Sequence, residues 1–476
     1  MPGPRTARWL PLALLLCMAG GRPMAQAAAA AAPAQAAGAL RVGAARVDVT
    51  QFSPIASLPD KYAHQHAQVR AIVVDNGATR AALISIPGSR FDWQAILQQV
   101  AAELRIPASQ IVVSSTHAHS FQSPRSRVDV PLEPTTRAVM DAVRAAAAKL
   151  QPAQMGFGTG QSFLNVNRDA IYPDTRQWGQ ASNLDGPSDK TVNVLSFTRP
   201  GGAPIAVYAS YAMHPVNAYA LDVTTGDFPE AMARYVEEAF GEQAVVAFAL
   251  GAAGDQNPLY LRPSTNVMAT RSGHAVSGYE MNREASEGPL RVVDAKGHAV
   301  LDTPADPAAM DRLLRFIESE GQILGEEVIR VMTLSKPIER VRIAGFQKTP
   351  QCPGRQRTNG DKMDPTSREG MAAAYVDQPP LGIPINVLGI GPVAIAAVGE
   401  EPYSLIGIHA RREAPMAATF IVSLANERAR TGYIPDDASY NHQTFQVLNS
   451  ALKPGCAERA IIDTIAELET RYLDAR

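Results

Sequence analysis

The chain has 476 residues, 19% charged and 46% hydrophobic, so it can bury a large core and is neither a disordered polar chain nor a small disulfide-stapled peptide. Its 44 basic residues stand against 46 acidic ones, a formal net charge of -2 with no long Lys/Arg block, which sets aside nucleic acid and anionic membrane surfaces as principal partners. The first element along the chain is a targeting segment. Arg5 and Arg8 precede the apolar run Trp9 to Ala19, Gly20 and Gly21 break it, and Ala25-Gln26-Ala27 offers an A-x-A cleavage site. This predicts a signal peptide over 1–27 and a periplasmic or secreted product, with an uncleaved anchor as the alternative. No later apolar run can span a bilayer, so no transmembrane segment is expected after cleavage. Residues 28–39 are almost all Ala and read as a flexible leader, and 40–476 as one large domain.

Short Val-, Ile- and aromatic-rich runs then predict strands at Leu40–Val49, Gln68–Val74, Ala81–Ile86, Gln110–Ser115, Thr191–Phe197, Ile205–Tyr211, Ala244–Leu250, Ile385–Leu388, Val393–Val398 and Thr419–Leu424. Helical spacing predicts Trp93–Arg105, Thr135–Leu150, Pro229–Phe240, Ala308–Thr333 and Pro402–Arg412. Arg199-Pro200-Gly201-Gly202 marks a hairpin turn, and Gly156 to Gly160 reads as a bend or bulge in a strand. Together these give an α/β protein of mixed β-sheets flanked by helices. Cys17 departs with the signal, leaving Cys352 and Cys456 in an oxidising compartment, where a disulfide between them is expected.

The chain has no G-x-S-x-G elbow, no H-E-x-x-H, no C-x-x-C and no phosphate-loop motif. Its polar residues gather instead where strands end, which is where ligands collect in sheet-based α/β proteins. The strand ending at Ser115 runs into His117 and His119; at period two both imidazoles face one side and can serve a metal ion and its water, or be two satisfied loop histidines. A second strand ends at His214, a third enters the small-residue turn Gly251 to Pro258, and a fourth ends in Gly399-Glu400-Glu401-Pro402. His64 and His66 precede a strand and read as loop residues near the site mouth, and His274, His298, His409 and His442 have no motif support.

At these residues the chain resembles the neutral/alkaline, non-lysosomal ceramidases, secreted zinc amidases that hydrolyse the N-acyl bond of ceramide. Val42 to Thr50 resembles the family's opening strand, Thr116-His117-Ala118-His119-Ser120 its T-H-T-H-S signature, and Asn167-Arg168 its N-R-S motif. Thr225-Gly226-Asp227 is similar to its S-G-D segment, Gly254 to Pro258 to G-D-V-S-P, Gly399-Glu400 to the G-E-F-T acid, and Tyr433 to Gln443 to Y-x-x-x-x-E-x-Y-x-x-Q. The resemblance implies a ceramidase-like catalytic domain and Zn2+ held by His117, His214, Glu400 and Tyr433. It further implies that His119 acts as acid/base and Arg168 as oxyanion stabiliser, with Asp255 and Asn257 of the small-residue turn in the same site. A turn shifted by one residue would present Glu401 in place of Glu400, Tyr433 could be a core aromatic, and Arg168 could belong to a structural ion pair.

The departures from the family pattern fall on substrate recognition. Asn257 replaces a Ser, Phe445 a second active-site Tyr and Ala438 a Glu. The family's Met-Met-Gly-Tyr segment has no counterpart between Thr50 and Gln68, Phe121-Gln122-Ser123-Pro124 replaces a Gly-rich continuation, and the chain stops before the family's C-terminal immunoglobulin-like domain. The polar stretch Leu259 to Asp306 reads as a specificity loop or an ordinary surface excursion. The expected activity is zinc-dependent cleavage of an amide in a small-molecule or lipid N-acyl substrate, ceramide or a relative of it. A zinc esterase or lactonase, or a non-catalytic exported binding protein, is the alternative.

Overall fold

In the computed structural model, residues 37–53, 66–88, 93–121, 132–171, 178–218, 224–260, 307–358 and 374–475 are described, with Gly3 and Arg176. The expected signal peptide, His64, His274, His298 and nearly all of the 259–306 stretch lie outside them. Each predicted strand and helix within these ranges is present, with ends shifted by a few residues. Gln35–Arg476 form one compact unit.

Three sheets carry the architecture. The first runs Ile111–Ser115, Arg80–Ile86, Gln68–Asp75, Arg41–Asp48, Gln151–Pro152. The second runs Val245–Leu250, Pro204–Tyr211, Thr191–Thr198, Gln154–Gln161, and the third Ile343–Lys348, Ile385–Ile390, Val393–Val398, Ala418–Val422. Val42, Ile72, Leu195, Tyr208, Leu388 and Ile395, drawn from all three, share one buried cluster, so the sheets cover one another's apolar faces. Helices Trp93–Leu104 and Leu132–Ala148 close the far face of the first sheet, Asp227–Ala239 and Pro307–Leu334 that of the second, and Ser404–Glu413 and Ala457–Asp474 that of the third.

Each sheet contains one parallel pair: Arg80–Ile86 with Ile111–Ser115, Pro204–Tyr211 with Val245–Leu250, and Val393–Val398 with Ala418–Val422. The carboxyl ends of these pairs are stitched together by Ser423 N–H donating to Leu250 O at 2.8 Å, Asn426 N–H to Val113 O at 2.8 Å and Leu424 N–H to Glu400 O at 3.2 Å. The segments that leave those ends therefore meet.

Several local features differ from the sequence reading. Gly38–Ala39, read from sequence as the end of a flexible leader, pair as a strand with Arg340–Val341. Gly156 to Gly160 lie inside the regular strand Gln154–Gln161, paired along its length with Thr191–Thr198. Strands Asn165–Ile171 and Trp178–Asn183, the hairpin Gln351–Arg357 with Tyr375–Gly382, and the C-terminal helix Ala457–Asp474 are additions. The expected disulfide joins Cys352, in the first strand of that hairpin, to Cys456, the residue before that helix.

A buried ion-pair cluster ties the first sheet to helix Asp227–Ala239. Arg70, 4% exposed, donates to both carboxylate oxygens of Glu230 at 2.8 and 2.6 Å and to Glu237 at 3.2 Å. Arg46 reaches Glu237 as well, and Glu237 also accepts from Val246 N–H at 2.9 Å. Burial works against the Arg70 charge, but Glu230 and Glu237 outweigh it and raise its pKa.

Candidate metal centre

His117 is placed by a left-handed turn, not by a pleat. The strand ends at Ser115, Thr116 N–H donates to Ile86 O at 2.8 Å, and His117 takes φ +65° with its N–H on Ser115 Oγ at 2.8 Å. A left-handed conformation in a residue with a Cβ costs energy and is found where the surroundings enforce it. Two residues on, His119 N–H donates to Pro215 O at 3.1 Å, which docks this turn on the segment carrying His214. The two imidazoles end up on one side as the spacing predicts, with Nε2 atoms 3.1 Å apart.

His214 is fully buried, and its ring is fixed from behind: Nδ1 lies 3.1 Å from the backbone carbonyl of Gln256. A carbonyl only accepts, so Nδ1 carries the ring proton and Nε2 presents a lone pair. That lone pair faces Oε2 of Glu401 at 3.1 Å, and His117 Nε2 is 3.4 Å from the same oxygen. The carboxylate in the cluster is thus the second of the pair. Glu400 turns away, accepting from Arg430 N–H at 2.9 Å with Arg428 at 3.5 Å. Gly399 permits this turn, because a Cβ there would stand 2.0 Å from Glu427 O.

Burial, reinforced by the Arg168 charge, lowers the His214 pKa to about 3; burial and its histidine neighbours hold His119 well below the usual range. Burial alone would raise the Glu401 carboxyl, yet His117 and His214 hold it well below the usual carboxylate range. Glu400 is pushed by burial to about 7. The centre thus holds neutral imidazoles His119 and His214 beside the anionic Glu401.

The remaining expected site residues surround this centre. Tyr433 pairs in register with Glu401 in a short parallel bridge, its ring 6.5 Å from that of His214 and 5.9 Å from Phe445. Arg168 is fully buried; its guanidinium donates to Gly254 O at 2.7 Å and to Asn257 Oδ1 at 3.1 Å, and lies 5.4 Å from the Tyr433 ring centre. Asn257 thus orients Arg168. Asp255 accepts from Ser404 N–H at 2.7 Å, Ser404 Oγ at 2.9 Å and Asn167 Nδ2 at 2.8 Å, and burial pushes it to about 7. The small-residue turn brings its backbone against a strand: a Cβ at Gly254 would lie 2.7 Å from Glu401 O, and Gly254 N–H donates to Pro402 O at 3.0 Å. His66 pairs with Asp48 and His409 with Glu458.

The donor atoms fit one small cation. Tetrahedral bonds of about 2.0–2.1 Å put neighbouring ligand atoms roughly 3.3 Å apart. Glu401 Oε2 lies 3.1 Å from His214 Nε2 and 3.4 Å from His117 Nε2, and His119 Nε2 lies 3.1 Å from His117 Nε2. Among the described residues, nitrogen atoms of His117, His119 and His214 lie within 4.8 Å of one another, close enough for an ion to be held there with Glu401 beside them.

No family model matches the chain, and no curated protein sequence matches it. Its structure is similar to a ceramidase complexed with C2, with TM-score 0.63 and 14% identity over 92% of this chain and 75% of that one. It is also similar to neutral ceramidase from Pseudomonas aeruginosa, with TM-score 0.60 and 15% identity over 91% and 75% of the two chains. The fold is ceramidase-like. No helix among the described residues is long and apolar enough to cross a membrane.

Proposed function

We propose that the chain is an exported, zinc-dependent hydrolase that cleaves the amide bond of an N-acyl substrate of the ceramide type. The observation that carries this reading is the contact between His214 Nε2 and Glu401 Oε2: a lone pair and a carboxylate face each other at 3.1 Å in a buried site, which is unfavourable unless a cation joins them. His117, His214 and Glu401 would hold that cation, with Tyr433 beside Glu401 as a fourth, looser donor. When bound, a zinc ion supplies Lewis acidity, lowering the pKa of a water toward neutrality and polarising an acyl carbonyl.

The chain's own groups do the rest. The Gln256 carbonyl fixes the His214 tautomer, as an outer partner of a metal-ligating histidine does. His119, the half-buried member of the three, is neutral and can take a proton from water and pass it to the leaving nitrogen. Arg168, held by Gly254 O and Asn257, offers fixed positive charge to the oxygen on which negative charge develops. The ceramidase-like fold and the ordered motifs favour an N-acyl amide over an ester.

The test is a panel of N-acyl amides and matched esters, with and without chelator, on wild type and His119→Ala. Chelator-sensitive amide hydrolysis, lost in His119→Ala with about one zinc per chain retained, is the expected result. Loss of zinc in His119→Ala would make that imidazole a ligand, and chelator-insensitive hydrolysis would remove the metal from the account.

A further inference from the structure

One buried residue, Asp227, ties the segment that carries His214 to the turn that carries His119. It takes φ +54°, a conformation that a residue with a Cβ holds only where its surroundings enforce it. Its carboxylate accepts from Asn217 Nδ2 at 3.1 Å and from Ala218 N–H at 3.0 Å, and so grips the chain three and four residues beyond His214. Its own N–H donates to Thr225 Oγ1 at 3.0 Å, and that hydroxyl lies 2.8 Å from Ser120 Oγ. Ser120 gives its proton to Thr225 O at 3.0 Å, so the Thr225 hydroxyl donates to Ser120. Ser120 follows His119, and the N–H of His119 closes the circuit by donating at 3.1 Å to the carbonyl of Pro215, next to His214.

Asn217 has a second hold. Its Nδ2 also donates to Glu320 Oε2 at 2.6 Å, from the middle of helix Pro307–Leu334. Glu320 is buried, and burial together with the Asp227 charge raises its pKa well above the usual carboxylate range. Its Oε1 has no hydrogen-bond partner, so the contact this costly group makes is the one that orients Asn217.

We propose that Asp227 is a positioning residue that sets the placement of His119 against His214, acting through Asn217 and Ala218 on one side and Thr225 and Ser120 on the other, with Glu320 fixing Asn217. This rests on the hydrolase reading above and adds the residues that hold the proton-transferring imidazole in register with a metal-holding one. The experiment measures zinc affinity by chelator competition, the visible spectrum of the cobalt-substituted protein, and kcat and KM. It compares wild type with Asp227→Ala, Asn217→Ala, Glu320→Met and Glu320→Gln. Ile465→Ala, a core truncation in helix Ala457–Asp474, is the control for lost stability alone. Asp227→Ala and Asn217→Ala should weaken zinc binding by about 10–100-fold, shift the cobalt bands and lower kcat more than they raise KM. Glu320→Met should move the same readouts, and Glu320→Gln, which keeps an acceptor for Asn217, should restore them. Ile465→Ala should lower the melting temperature and leave metal affinity and cobalt bands as in wild type.

Unchanged zinc affinity and cobalt bands in folded Asp227→Ala, or equal changes in Ile465→Ala, would overturn the positioning role while leaving the hydrolase reading standing. Should Asp227→Ala not fold, Asn217→Ala is judged by the same outcomes. If wild type turns over no N-acyl substrate, the hydrolase reading falls and the metal readouts decide alone. If wild type binds neither ion, the imidazole resonances of His119 and His214 decide: a shift in Asn217→Ala that Ile465→Ala lacks supports the positioning role, and any other result overturns it.

Discussion

Two buried polar clusters in this molecule look alike in composition and differ in completeness. Around Arg70, every charge has an opposite partner: the guanidinium spans Glu230 and reaches Glu237, which in turn takes Arg46 and a backbone N–H. Around Glu401, the carboxylate faces two imidazole nitrogens, and the only ring proton of His214 is spent on Gln256 O. The first cluster is closed and needs nothing further; in the second, the His214 lone pair meets the Glu401 carboxylate, a contact that a cation would relieve. Burial does not separate structure from function here, whereas the proton count does.

Breaking the closed cluster should give the largest effect on stability. Arg70→Met leaves Glu230 and Glu237 buried without their main cation, a loss of about 3–5 kcal/mol seen as a drop in melting temperature. Replacing both carboxylates as well, in Arg70→Met/Glu230→Gln/Glu237→Gln, should recover much of that loss, because no unpaired charge remains. Zinc content of the folded protein should be the same in all of them.

At the open cluster the effects should fall on chemistry. Arg168→Lys keeps a charge but loses the fork that spans Gly254 O and Asn257, and kcat should fall by about 10²–10³-fold with zinc retained. Asn257→Ala, which removes a hydrogen-bond support of Arg168, should cost roughly 10–100-fold in activity, as loss of an outer orienting partner does. Steady-state kinetics beside zinc analysis checks both; a parallel loss of zinc would make these residues part of the metal's holding set.

The pH dependence of metal-free protein sharpens the comparison least but tests the charge states directly. His214 has its folded pKa at about 3 against 6.5 when free, so its contribution to stability is present above pH 6.5 and is lost as pH falls toward 3. Glu400 and Asp255, raised to about 7, act in the opposite sense: their contribution is present below their ordinary values of 4.5 and 3.8 and is lost as pH rises through 7. Melting temperature against pH should therefore fall less on the acid side in His214→Ala and less toward neutrality in Glu400→Gln. Curves parallel to wild type in both would contradict these protonation states.

Much of the fold is legible in the sequence because the parallel strands, apolar on both faces, read as continuous Val/Ile/Ala runs such as Val245–Leu250 and Val393–Val398. The strand Asn165–Ile171 is not, since its inward residues Asn165, Asn167 and Asp169 are polar and serve neighbours around the site, which destroys the alternation that marks a strand. Helix Ala457–Asp474 has plain spacing at Ile461, Ile462, Ile465, Leu468 and Tyr472, so its absence from the predicted elements has no physical excuse. Within the site, the paired histidines are legible from spacing, but the choice between Glu400 and Glu401 is not. It depends on how the Gly399 turn packs on Glu427, a contact between segments that no local pattern carries.

The most direct test of the central claim is zinc content after remetallation of purified wild type, His214→Ala, Glu401→Gln and Glu400→Gln, measured by elemental mass spectrometry. The account predicts about one zinc per chain in wild type and Glu400→Gln, and near none in His214→Ala and Glu401→Gln. Zinc retained by Glu401→Gln and lost by Glu400→Gln, or a folded wild type that takes up no zinc, would contradict it.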